Sequence, residues 1–195
     1  MSKIILLNGC GSSGKTSITR AIQHLSQELW LTFGVDSFID MMPFGKQASY
    51  LKFIQSENER GPLVRVETQP KGADLFSAMP DFAKLLAGNG HNLIIDEVLF
   101  ADVQLQQYAR KLRDYTVYFV GVFCDLPAMQ EREILRRDRM MGLSNDQFDR
   151  VHAGLRLNYD LKVDTTRTAS FEVARQILDY VASNPNPKGF KKVLE

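Results

Sequence analysis

The chain has 195 residues, 44% of them hydrophobic and 24% charged, a balance that belongs to a domain with a buried core and excludes a disordered chain. Its 24 basic and 23 acidic side chains leave a net charge of +1, which excludes the broad positive field carried by nucleic-acid binders. The two cysteines, Cys10 and Cys124, make no disulfide framework, and no apolar run is long enough for a signal-peptide core or a membrane span. The expectation is one cytoplasmic domain over residues 1–195, working without nucleic acid or membrane.

In chain order, Lys3-Ile4-Ile5-Leu6-Leu7-Asn8 reads as a buried strand and Ser17 to Leu25 as a helix with apolar residues at helical spacing. Between them stands Gly9-Cys10-Gly11-Ser12-Ser13-Gly14-Lys15-Thr16. Strand, G-x-x-x-x-G-K-[ST] loop and helix together make a phosphate-binding P-loop. The glycines let main-chain N–H groups close around phosphate oxygens, and the helix start adds its unpaired N–H groups and positive dipole end. Gly9 through Ser17 are therefore predicted to hold a nucleotide. Within that set, Lys15 reaches the outer phosphates and Thr16 ligates Mg²⁺.

Trp30 to Asp36 reads as a second strand, followed by a short helix over 37–42 that Pro43 stops. Ligands of open α/β sheets sit beyond the carboxyl ends of strands. Asp36 is accordingly a candidate catalytic carboxylate on the P-loop rim, and also a candidate cap of the short helix. Residues 44–71 are the least regular part. Runs at 50–54 and 63–66 pair as a hairpin across a polar turn, and the segment is either a substrate cover or a surface decoration. Ala73 to Ala87 has helical spacing with Pro80 inside it, so a kink or break is expected there.

Asn92-Leu93-Ile94-Ile95-Asp96-Glu97 is a buried strand ending in acids. After a P-loop, that pattern puts Asp96 beside Thr16 as the second Mg²⁺ residue. Glu97 is left without a firm role. A helix near 102–113 and a strand over 117–125 follow, with Asp125 read as a helix cap before Pro127. In Ala128 to Met141, Arg132, Arg136 and Arg139 fall at i, i+4 and i+7 on one helix face, interleaved with Glu131, Glu133 and Asp138. Ion pairs on a solvated helix are the plain explanation. Guanidinium groups also suit the charge on a transferring phosphoryl group, so 128–150 reads as an arginine lid hinged near Gly142-Leu143-Ser144.

His152 falls in a helical stretch over 145–157 and reads as structural. No His, Cys or carboxylate cluster has metal-ligand spacing, so the only metal inferred is the one that travels with the nucleotide. Residues 159–166 read as the last strand and its exit loop, placed beside the P-loop, and 170–182 as a helix. Residues 184–195 read as a polar tail, disordered or packed on the surface.

This constellation resembles the chloramphenicol phosphotransferase-like P-loop kinases. The resemblance rests on the loop, on Phe33-Gly34-Val35-Asp36 and Ile39-Asp40-Met41-Met42-Pro43, on Ile94-Ile95-Asp96-Glu97-Val98, on Val120 to Asp125, on Arg132 to Arg139, on Val151-His152-Ala153-Gly154 and on Val163-Asp164-Thr165-Thr166. It runs from residue 3 to about 182 and departs at Cys10 and over 44–71. It implies a three-layer α/β sandwich with a mostly parallel sheet of about five strands, a helical lid and a small inserted cover. It further implies a kinase moving the γ-phosphoryl of ATP, with Mg²⁺, to a hydroxyl of a small molecule such as chloramphenicol. Asp36 falls on the family's catalytic base, and Lys15 and Arg136 are assigned to the transferring group. Two other readings stand beside it: a nucleotide-dependent switch with slow hydrolysis, suggested by Glu97, and a nucleic-acid end kinase, disfavoured by the neutral charge.

Overall fold

A computed structural model describes residues 2–136, 140–153 and 158–194. The strands are β1 (Lys3–Gly9), β2 (Trp30–Gly34), β3 (Leu51–Asn58), β4 (Gly61–Thr68), β5 (Asn92–Glu97), β6 (Thr116–Phe123) and β7 (Leu161–Asp164). The α-helices are α1 (Lys15–Leu25), α2 (Val35–Asp40), α3 (Pro70–Ser77), α4 (Met79–Gly88), α5 (Asp102–Lys111), α6 (Leu126–Leu135), α7 (Leu143–Phe148) and α8 (Ser170–Ser183). Five strands form one parallel sheet in the order β2-β5-β1-β6-β7, and β3 and β4 form a separate antiparallel hairpin.

The layering follows from the period of two along a strand. Ile4 and Leu6 of β1 face one core with Met79, Ala83, Leu105 and Tyr108 of α4 and α5. Ile5 and Leu7 face the opposite core with Ile18, Ile22, Val173 and Ile177 of α1 and α8. A strand buried on both faces is a continuous apolar run, and a parallel sheet covered by helices on both sides is its natural home. The result is a three-layer α/β sandwich, the architecture expected from the sequence.

Several boundaries differ from the sequence expectation. β2 ends at Gly34, and Asp36 lies in the first turn of α2 rather than at a strand end. Close approach explains it: Gly34 is in register with Asp96, and a Cβ on it would stand 2.3 Å from the Asp96 carbonyl oxygen. The chain leaves the sheet once the glycine has passed. The predicted helix over 73–87 is broken at Ala78, with Pro80 in the first turn of α4, where a proline costs no hydrogen bond. The hairpin strands are longer than the apolar runs, and their turn is only Glu59-Arg60, with Asn58 Oδ1 accepting from the Arg60 N–H at 2.9 Å. Asp125 precedes α6, but its side chain makes no cap hydrogen bond. Its N–H instead donates to Thr166 Oγ1 at 3.0 Å.

The arginine segment departs furthest. α6 stops at Leu135 and Arg136 is extended, so Arg132 and Arg136 do not share a helix face; Arg139 lies outside the described residues. The reason is Glu133, which is buried and accepts from the N–H groups of Gly142 (2.9 Å) and Ser144 (2.7 Å). The chain must turn back after α6 to deliver them. α7, in turn, ends at Phe148, and 149–153 are not helical, whereas the sequence predicts a helix over 145–157; residues 154–157 lie outside the described residues. At the carboxyl end, Asp160 Oδ1 accepts from the N–H groups of Lys188 (2.9 Å) and Gly189 (2.7 Å), and Phe190 and Val193 are buried.

Candidate functional site

The P-loop joins the carboxyl end of β1 to α1. Gly14 (φ +92°) and Ser12 (φ +62°) adopt the left-handed region, a cost that Ser12 carries without being glycine. Thr165, just past β7, closes one side: its hydroxyl donates to the Ser13 carbonyl at 2.7 Å. Lys15 is buried, donates to the Gly9 and Cys10 carbonyls at 2.9 Å each, and stands 3.4 Å from Asp96 Oδ1. Thr16 Oγ1 donates to Asp96 Oδ2 at 3.1 Å. The two residues read as metal ligands are thus together. A hydroxyl and a carboxylate are hard oxygen donors that suit Mg²⁺, which keeps most of its shell for phosphate and water. Among the described residues no group of three or more His, Cys, Asp or Glu gathers to hold a metal.

Arg132 is a brace. Its guanidinium donates to the Thr165 carbonyl (2.6 Å), to Thr165 Oγ1 (3.3 Å) and to the Ser12 carbonyl (3.4 Å), and it touches Cys124 Sγ at 3.2 Å. It lines a cleft of about 420 Å³ together with Gly14, Ser17, Ile18, Arg136 and Thr168. Arg136 therefore remains at the site from beyond the end of its helix. Gly9, Cys10 and Gly11 lie on the β1 side of the loop, outside this cleft's lining. Asp36 is exposed on α2, two residues beyond Gly34 and hence beyond the strand neighbour of Asp96.

Burial pushes the Cys10 thiol up to about 11, so the thiolate is scarce at neutral pH. His152 stacks on Phe123 (ring centroids 4.0 Å apart) and its Nδ1 lies 2.8 Å from the Tyr159 hydroxyl, which accepts from Asn8 Nδ2 at 2.7 Å. Burial lowers the His152 pKa and so favours the neutral ring, and the group is a packed polar core. Glu97, adjacent in sequence to Asp96, points into the α5 side, where Tyr108 Oη donates to it at 2.5 Å and the Val98 N–H at 3.2 Å.

Burial raises Glu97 to about 7. A carboxyl whose folded pKa lies above its unfolded value stabilises the fold fully below the unfolded value and loses that contribution as pH rises through the folded one. The melting temperature should thus fall between about pH 4.5 and pH 7 from this group, and Glu97→Gln should flatten that part of a pH series of thermal melts. A slope equal to wild type would overturn the assignment.

Sequence reasoning missed one contact on the loop itself. The Gly11 N–H donates to Gln147 Oε1 of α7 at 2.5 Å. The pair is 136 residues apart, and nothing local to Gln147 marks it. α7 is also tied to the hairpin: Arg65 meets Asp146 at 3.0 Å, Asn145 Nδ2 donates to the Pro62 carbonyl at 3.0 Å, and the Val64 N–H to the Gly142 carbonyl at 2.9 Å. The β3–β4 hairpin is therefore linked to the P-loop through α7.

Comparison with known proteins bears on the family and the fold. A protein of Mycobacterium tuberculosis strain H37Rv, provisionally named an O-phosphotransferase, is 29% identical over 203 residues, covering 98% of this chain and 87% of its own. Among solved structures, the APS kinase of Mycobacterium tuberculosis in complex with AMPPNP and APS superposes with a TM-score of 0.63 at 14% identity, over 93% of this chain and 98% of the other. The tunicamycin resistance protein of Deinococcus radiodurans gives 0.61 at 17% identity, over 93% and 97%. At such identities these two speak for the fold. The family model described as chloramphenicol phosphotransferase-like protein matches residues 2–182, and the chain belongs to that family.

Proposed function

We propose that the chain transfers the γ-phosphoryl group of ATP, with Mg²⁺, to a hydroxyl of a small molecule, Asp36 accepting the hydroxyl proton. The carrying observation is the position of Asp96. Its side chain meets both Lys15 and Thr16, and its backbone is in register with Gly34, two residues before Asp36. That register supports the reading, because it sets the start of α2, which carries Asp36, next to the strand end where the phosphate cation and the metal oxygens meet. The P-loop N–H groups and Lys15 bind the phosphates, Lys15 exchanging its two carbonyl partners for phosphate oxygens. Thr16 and Asp96 hold the metal, which supplies charge neutralisation when bound. Arg132 and Arg136 line the cleft beside Gly14 and Ser17, and Arg136 is assigned to the charge on the transferring group. Asp36 orients the acceptor hydroxyl and takes its proton as the phosphoryl group leaves the nucleotide.

Transfer to oxygen accords with the name of the mycobacterial relative, and the family description supports a chloramphenicol-like acceptor. The water-polarising role that favoured a hydrolytic switch has no support, because Glu97 is engaged with Tyr108 and buried. Mass spectrometry of chloramphenicol incubated with the protein, ATP and Mg²⁺ tests the proposal. The expected result is a phosphate-sized mass gain that is absent with an acceptor lacking the primary hydroxyl. No gain while nucleotide still binds would reject that acceptor and direct the search to other hydroxyl compounds.

A further inference from the structure

The Gly11 N–H is one of the loop amides from which phosphate binding is built, and its partner is a neutral side-chain carbonyl. One N–H proton serves one good acceptor. A phosphate oxygen at Gly11 and the Gln147 carbonyl therefore exclude each other. Which phosphate is concerned follows from the cleft: it lies beside Ser17, Ile18 and Thr168, and Gly11 is not in its lining. A nucleoside seated there sends its phosphate chain along the loop toward Gly11, so the group that displaces Gln147 is the terminal one.

Gln147 does not stand alone. Glu133 fixes the start of α7, and the hairpin is bound to the same helix through Asn145, Asp146 and Gly142. Arg150 joins Asp146 at 2.5 Å, and Arg60 of the hairpin turn meets Asp149 at 2.9 Å. The hairpin, α7 and the second half of α6 are thus tied to one another, and Gln147 is their hydrogen bond to the loop.

Resting on the kinase reading above, we propose that Gln147 is a positioning residue that senses the terminal phosphoryl group. Its carbonyl yields the Gly11 N–H to that group, its NH₂ turns to donate to the same oxygens, and the hairpin settles over the acceptor when a triphosphate is present. A diphosphate leaves the Gly11–Gln147 bond in place. A ligand shifts such an equilibrium only through a contact that differs between the two arrangements, and this exchange is that contact.

The test is calorimetric titration of the full chain with ADP–Mg²⁺ and with AMPPNP–Mg²⁺, together with hydrogen exchange at the Val64 amide, whose acceptor is Gly142. In wild type, AMPPNP should slow Val64 exchange at least threefold beyond ADP. In Gln147→Ala that extra protection should vanish while ADP affinity stays within twofold. Gln147→Glu keeps the acceptor for Gly11 and nearly the same volume, so it remains informative if the alanine variant is misfolded. Its carboxylate faces the phosphoryl oxygens and should weaken AMPPNP at least tenfold and ADP less than threefold. Extra protection surviving in the alanine variant, or equal effects of the glutamate on both nucleotides, overturns the proposal and leaves the kinase reading standing. Failure of wild type to bind either nucleotide overturns that reading as well.

Discussion

Asp36→Asn is expected to bind ATP and acceptor as wild type does and to transfer phosphate about 10²–10⁴-fold more slowly, the range for a lost general base. That loss corresponds to roughly 3–5 kcal/mol of barrier. The amide keeps the size of the carboxylate but takes up no proton. Asp36 is exposed in the first turn of α2, so the substitution opens no cavity. An acidic residue in a first turn favours the helix by only a few tenths of a kcal/mol to about 1 kcal/mol, and little stability should be lost. Asp40 is the proper control, since it lies four residues on and therefore on the same face of the helix. Single-turnover transfer should be slow in Asp36→Asn and near normal in Asp40→Asn. The reverse pattern would move the base one turn along α2, and unchanged transfer in both would remove the general base from this helix.

The parts of the molecule legible in the sequence are those in which one local rule decides the outcome. β1, β5 and β6 are apolar runs because both of their faces are covered, and the loop chemistry follows from glycine and helix-start geometry. Thr16 and Asp96 come together, at 3.1 Å, because the loop after β1 starts α1 beside the carboxyl end of β5, the parallel neighbour of β1. Rules of longer range were not readable. The end of β2 is set by Gly34 approaching the Asp96 backbone, a contact between strands that no pattern within residues 30–36 contains. Helical spacing placed three arginines on one face, but Glu133, which looks like a member of a surface charge stitch, is buried and reverses the chain. The Gly11–Gln147 bond is of the same kind. Residue types announce local conformation, and only tertiary closure announces which distant amide a glutamine will meet.

Lys15→Met should fail in two separable ways, and the separation is what makes it informative. The first is nucleotide affinity, expected to fall about 10²-fold or more, because a desolvated charge contact to phosphate is worth several kcal/mol. The second is the loop itself. The buried ammonium satisfies the Gly9 and Cys10 carbonyls and offsets the Asp96 carboxylate. Removing one member of such a group leaves its partners uncompensated, at about 3–5 kcal/mol. For a chain of this size 1 kcal/mol moves Tm by about 2–4 °C, so a drop of roughly 6–20 °C is expected by calorimetry. Asp96→Asn in the Lys15→Met background removes the stranded charge and should return part of that Tm without returning affinity. A double-mutant cycle then separates the two roles, since coupled sites depart from additivity. If Lys15→Met melts like wild type, the lysine does not hold the loop, and its two carbonyl bonds carry no weight in the fold. If the double variant is no more stable than the single one, the carbonyls rather than Asp96 are what the lysine chiefly satisfies.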